Sequence, residues 1–142
     1  DESLPDAVMF DIDGTLAHMN GRKPFDWDRV NTDIVDTYVR GILWAYSDAG
    51  YTIILVSGRD GSCKQLTEDW LERNSIGYDA FFMREANDNR KDTIIKEEIF
   101  WKDVAPYYNV EIVVDDRPCV VRMWQDIGIP KVIAVGNQNL EF

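Results

Sequence analysis

Five short apolar runs alternate with segments of helical periodicity, and this alternation limits what the chain can fold into more than any other feature. The runs are Ala7–Phe10, Tyr51–Val56, Tyr78–Met83, Val110–Val114 and Lys131–Val135. Each has the length of a buried strand, and right-handed helical crossovers between them predict an α/β fold. The expected architecture is a doubly wound, parallel, five-stranded sheet with helices on both faces. Ligands of such sheets bind at the carboxyl ends of the strands, where the strand order reverses. The 142 residues suit one domain spanning 1–142. Asp1–Asp6 reads as a polar approach segment, compatible with a linker from an upstream domain.

The segments between the runs set further expectations. Ala17–Val30 lacks periodicity and carries Gly21, Pro24, Phe25 and Trp27, so it reads as a loop over the site, with Phe25 and Trp27 serving mainly in packing. Asn31 or Thr32 is the expected N-cap of a helix whose face would be Ile34, Tyr38, Ile42, Ala45, Tyr46 and Ala49, ending at Gly50. A second helix is predicted over Lys64–Asn74, with Leu66, Trp70 and Leu71 inward. A third runs from Asp92 to about Val104, with Ile95, Ile99 and either Phe100 or Trp101 inward. The last starts at Pro118 and continues through Ile127 to Gly128. Gly136–Phe142 carries no signature.

Polar residues gather where the apolar runs stop. The first run ends in Asp11-Ile12-Asp13-Gly14-Thr15, and alternation lets both aspartates reach one crevice while Ile12 returns to the core. Such a pair can bind a hard cation, and one member could attack or exchange protons. The second run ends in Ser57-Gly58-Arg59, a sensible phosphate contact, and the third in Arg84. Arg22, in the loop, could reach a phosphate bidentately. Asp92 and Lys96 stand at i and i+4, the favourable order for a helical ion pair. The fourth run ends in Asp115-Asp116, two acids that need a positive partner, most simply a metal. His18, the one histidine, reads as structural.

In this order the motifs resemble the haloacid dehalogenase superfamily of phosphotransferases. The resemblance implies that Asp11 takes the phosphoryl group and that Asp13 protonates the leaving oxygen and then activates water. Ser57 and Lys96 would hold the phosphoryl oxygens, while Asp11, Asp13, Asp115 and Asp116 would make a metal site. A site of oxygen donors, with no Cys or His cluster, favours Mg²⁺ over Zn²⁺. Longer strings, D-G-T-L-A-H-M-N-G-R, S-G-R, K-E-E-I-F-W-K and D-D-R, are similar to the 3′-phosphatase domain of the phage-type polynucleotide kinase-phosphatases. By that likeness Thr15, Arg22, Arg59, Arg84 and Asp92 join the site in substrate contact or support.

The implied substrates are 3′-phosphorylated DNA or RNA ends; Trp27 or Phe25 could stack on a base of such an end, although core or loop packing is the preferred reading for both. No G-x-x-x-x-G-K-[ST] occurs, so either a 5′-kinase half lies upstream in a fuller protein or the chain is a free-standing phosphatase. No covering cap domain is expected, which leaves the crevice open to bulky ends. The net charge of −11 argues against a wide grip on a duplex. Cys63 and Cys119 read as reduced packing residues of a cytoplasmic protein (the host cytoplasm, if phage-encoded), and no run approaches a membrane span. The rival readings are a small-molecule phosphatase such as a nucleotidase, and a receiver-like switch that holds a phosphoryl group without turnover.

Overall fold

The computed structural model describes residues 1–142. Its strands are β1 (Asp6–Phe10), β2 (Ala17–His18), β3 (Ile34–Val35), β4 (Thr52–Ser57), β5 (Ala80–Met83), β6 (Asn109–Asp115) and β7 (Lys131–Ala134). Its helices are α1 (Thr37–Asp48), α2 (Lys64–Arg73), α3 (Asp92–Ile99) and α4 (Pro118–Asp126). Five strands form one sheet in the order β5-β4-β1-β6-β7, and every neighbouring pair is parallel. The expected five-stranded, doubly wound sheet is therefore present. The strand order reverses at β1, so the end of that strand opens into the crevice between two diverging connections.

Alternation along β1 divides the core. Val8 and Phe10, with Ile12 beyond the strand, pack with Val39 and Leu43 of α1 and Trp70 and Leu71 of α2. Ala7 and Met9 face the other side, with Phe100, Val104 and the α4 residues Val120, Met123 and Trp124. Period-2 side-chain direction on a strand buried on both faces requires such a split.

The first helix differs from its expected form. Trp27–Thr32 is a 3₁₀ turn, and Ile34–Val35 pairs antiparallel with Ala17–His18. The N-cap is Asp36, whose carboxylate accepts from the amides of Tyr38 (3.0 Å) and Val39 (2.9 Å). The buried residues of α1 are Val39 and Leu43, with the expected Ile42 and Tyr46 packed against the same core cluster, whereas Tyr38 is exposed. Satisfying two free amides at Asp36 outweighs extending the periodic pattern toward the N-terminus. Gly50, at φ +97°, ends the helix as expected.

The third helix continues from α3 into a π turn over Phe100–Val104, where the Ala105 amide donates to the Phe100 carbonyl at 2.7 Å. The extra residue places Phe100 and Val104 in the core and turns Trp101 outward. No separate cap domain follows β1 or β5, which are succeeded only by the β2–β3 ribbon with its 3₁₀ turn and by the Arg84–Lys91 loop. No helix is long and apolar enough to cross a membrane.

Candidate active site

One wall of the crevice is built on the end of β1. Asp11 is buried, with its Oδ1 2.9 Å from Lys96 Nζ of α3. Lys96 is only 1% exposed and also donates to Asp115 Oδ2 at 3.2 Å, with Asp92 Oδ2 at 3.7 Å. Burial alone would lower the Lys96 pKa, but Asp11 and Asp115 reverse the effect and hold the ammonium well above its ordinary value. Burial, and then the charge of Asp115, push Asp11 well above the usual carboxylate range, against the pull of Lys96.

The two acids that end β6 are not equivalent. Asp115 Oδ1 accepts from the amides of Asp116 (2.8 Å) and Arg117 (3.3 Å), and its Oδ2 accepts from Lys96 and from Trp124 Nε1 (3.1 Å). All four of its lone-pair directions are thus occupied by protein donors. Asp116 has one side-chain donor, the Thr15 hydroxyl at 3.2 Å, which also lies 3.4 Å from Asp11 Oδ2. Oxygens of Asp11, Asp115 and Asp116 lie within 4.8 Å of one another. Gly14 permits this closeness, because at φ +78° a Cβ there would stand 2.0 Å from Asp116 Oδ2.

Asp13 belongs to a different network. Arg59 Nη2 meets Asp13 Oδ1 at 2.8 Å and Asp33 Oδ2 at 2.7 Å, while its Nη1 donates to Thr67. Arg22 Nε donates to Asp33 Oδ1 at 2.7 Å and its Nη2 to Asp13 Oδ1 at 3.3 Å. The side chains of both arginines and of Asp33 are fully enclosed, whereas that of Asp13 is 42% exposed. Two buried guanidiniums and two carboxylates compensate one another, which is the condition for keeping such charges in a core. Arg22 and Arg59, expected to offer charge to a phosphate, direct their forks at these acids.

The rim is organised by Arg84, which donates to the carbonyls of Gly58 (2.7 Å) and Asp88 (2.8 Å) and reaches Asp92 at 3.4 Å. Asp92 approaches β4 so closely that a Cβ on Gly58 would lie 1.8 Å from its Oδ1. Ser57 is buried beneath this contact, its hydroxyl accepting from the Arg59 amide at 3.1 Å. Arg117 stands 3.6 Å from Asp92 and donates to the Phe142 carbonyl, bringing the C-terminal tail to the crevice. The cavity between these walls measures about 630 Å³ and is lined by Asp11, Asp13, Asp92 and Asp116, among others.

All eleven residues singled out from the sequence gather around this crevice, in three groups. Asp11, Thr15, Lys96, Asp115 and Asp116 form one wall, while Asp13, Arg22 and Arg59 form the other. Arg84, Asp92 and Ser57 join them at the rim and floor. Asp33, Thr67, Trp124 and Arg117 were not foreseen. The signal for Asp33 is indirect: two arginines without exposure need a buried acid, and nothing local in V-N-T-D-I-V marks it. His18 pairs with Asp36 at 2.8 Å, outside the site. Phe25, for which packing was the preferred expectation over stacking on a base, is 81% exposed and lines the cavity.

A central strand that ends in a buried carboxylate, met by a lysine and a second acidic pair, is the arrangement of the haloacid dehalogenase class of phosphatases. The chain is an enzyme of that class. Residues 5–139 match the family described as the polynucleotide kinase PNKP phosphatase domain. The chain belongs to that family and is a phosphatase of the polynucleotide 3′-phosphatase type, as the sequence resemblance implies.

Among its relatives is a putative bifunctional polynucleotide kinase/RNA ligase of Autographa californica nuclear polyhedrosis virus. It is 41% identical over 147 residues, covering 99% of this chain and 21% of the viral protein. A chain in the structure of a Pnkp1/Rnl/Hen1 complex superposes with a TM-score of 0.91 at 41% identity, covering 95% of this chain and 47% of that one. A second structure, of the Pnkp1/Rnl/Hen1 RNA repair complex, gives 0.88 at 39% identity, with 96% and 45% coverage. The class C acid phosphatase of Bacillus anthracis shares the fold alone, with a TM-score of 0.60 at 14% identity, over 95% of this chain and 68% of that one. The chain thus spans less than half the length of the first three proteins.

Proposed function

We propose that this domain removes the terminal phosphate from the 3′ ends of DNA or RNA by passing the phosphoryl group through Asp11. The observation that carries the reading is the opposite setting of two aspartates in one crevice. Asp11 faces an ammonium and a second acid, whereas Asp13 is gripped by guanidiniums on one edge and open to the cavity on the other. A nucleophile and a proton carrier need that difference.

Asp11 attacks phosphorus as the bond to the 3′ oxygen breaks, and Lys96 lies where it can offset charge on both carboxylate and phosphoryl oxygens. Asp13 Oδ1 is crowded by Arg22 and Arg59, and Oδ2 accepts only from Arg59 Nε at 3.1 Å. Oδ2 is therefore the oxygen that carries the proton to the leaving group. It then takes a proton from the water that splits the acyl phosphate, and inorganic phosphate departs. Ser57, with its hydroxyl proton uncommitted, would donate to a phosphoryl oxygen.

The donor set fits Mg²⁺. Asp11 and Asp116 would hold the ion, because the Thr15 hydroxyl is the side-chain donor they share and Gly14 leaves room, while Asp115 is saturated by protein donors and instead anchors Lys96. When bound, the ion supplies positive charge at the phosphoryl oxygens. Kinase and ligase activities are named for the longer relatives; in a fuller protein this domain would prepare 3′ ends for joining while a separate domain acts on 5′ ends.

The test compares 3′-phosphorylated DNA and RNA oligonucleotides with a panel of mononucleotides and sugar phosphates, with Mg²⁺ and with chelator. Phosphate release from the oligonucleotides is expected, with loss in chelator and in Asp11→Asn. A strong preference for the small-molecule panel would sink the polynucleotide reading. Full activity of Asp11→Asn would refute the nucleophile.

A further inference from the structure

We infer that the exposed ring of Phe25, braced by Trp27, is the platform on which the base of the 3′-terminal nucleotide stacks, an inference that rests on the polynucleotide reading above. Most of the crevice lining is charged or polar, yet it also carries Met19, Phe25 and Trp27, with Phe142 of the C-terminal tail. Phe25 is 81% exposed and Met19 49%. Leaving a Phe ring in water forgoes the free energy of burying it, so its exposure inside the cavity points to a ligand that covers its face there. Trp27 meets Phe25 edge-on, with centroids 5.9 Å apart and planes at 74°.

The ring is also held in place. Arg22 Nη1 donates to the carbonyls of Lys23 (3.2 Å) and Pro24 (3.1 Å), the two residues before Phe25. The Asp26 carboxylate accepts from the Lys23 amide at 3.2 Å, and the Asp26 amide donates to the Lys23 carbonyl at 3.0 Å. The Arg22 guanidinium lies 6.0 Å from the Trp27 ring centroid and its other arm reaches Asp13. One buried guanidinium therefore locates both the proton carrier and the aromatic wall. Because that wall shares a cavity with Asp11, whatever stacks on it belongs to the molecule whose phosphate is at Asp11. A nucleoside has a π face for it and a sugar phosphate has none. Stacking on a phenyl ring is sequence-tolerant, which suits an enzyme for ends of any sequence.

The experiment measures kcat/KM on a 3′-phosphorylated oligonucleotide, on the same oligonucleotide with an abasic terminal nucleotide, and on p-nitrophenyl phosphate. Wild type is expected to favour the base-bearing end over the abasic one, and Phe25→Ala to erase about tenfold of that advantage, chiefly through KM. Phe25→Tyr, which keeps the ring, should restore it. An equal loss on base-bearing and abasic ends, or an unchanged ratio between them, would overturn the platform. Hydrolysis of p-nitrophenyl phosphate without hydrolysis of either oligonucleotide would overturn the polynucleotide reading itself, and the platform with it.

Discussion

Asp33 shows how much of the site depends on a residue whose side chain is fully enclosed. Its two oxygens join Arg22 to Arg59, and the Asp33 hydrogen bond holds Arg22 above its ordinary pKa despite burial. Trp70 Nε1 fixes the backbone at the same point by donating to the Asp33 carbonyl at 2.8 Å. Asp33→Asn would leave two enclosed guanidiniums sharing one neutral amide oxygen, at a cost of about 3 kcal/mol. Denaturant unfolding should show that loss, and kcat should fall more than KM rises, because Asp13 loses its alignment. Unchanged stability and unchanged kcat would mean that the two arginines hold Asp13 without help.

At the scale of an element, α1 depends on its cap. Burial raises the Asp36 pKa, but the His18 hydrogen bond and the two capping amides outweigh it, and the folded value is lowered. A group with a depressed folded pKa contributes stability above its unfolded pKa, about 3.9, and loses it as pH falls through the folded value. Asp36→Ala should therefore cost about 1 kcal/mol at neutral pH. The gap between variant and wild type should narrow below about pH 4. Thermal melts of the two proteins across pH 3–7 check this, and a gap that stays constant to the lowest pH would remove the carboxylate from the account. The apolar periodicity around α1 was legible, but its starting point was not. Asp36 competes with Asn31 and Thr32 as a cap, and the pairing of Ile34–Val35 with a distant strand decides between them.

For the molecule as a whole, the charge distribution limits how nucleic acid can be held. The net charge is −11 with 15 Lys and Arg, and Arg22, Arg59, Arg84, Lys96 and Arg117 meet at one crevice. Much of that positive charge is already paired with aspartates, so few phosphates beyond the terminal one can be neutralised. The slope of log(kcat/KM) against log[salt] on single-stranded ends should be about −1 and no steeper than about −2. A much steeper slope would require a basic track along the strand that this surface does not provide.

The sequence by itself determined the sheet and the acids at its centre. Apolar runs of strand length, separated by crossovers, admit few windings, and a side chain next to a strand end has little choice of direction. Asp11, Asp13, Asp115 and Asp116 were therefore readable as local features, and Lys96 through the order of the motifs. Tertiary structure alone decided which of these carboxylates are free. Asp115 is saturated because Trp124 and Lys96 arrive from two helices, and Asp116 is left open because the turn after β1 brings it only the Thr15 hydroxyl and a glycine without a side chain. Arg22 and Arg59 turn inward because Asp33 waits between them, and Phe25 stays exposed because nothing folds over it. Such outcomes depend on donors far apart in the chain, where one-dimensional periodicity carries no information.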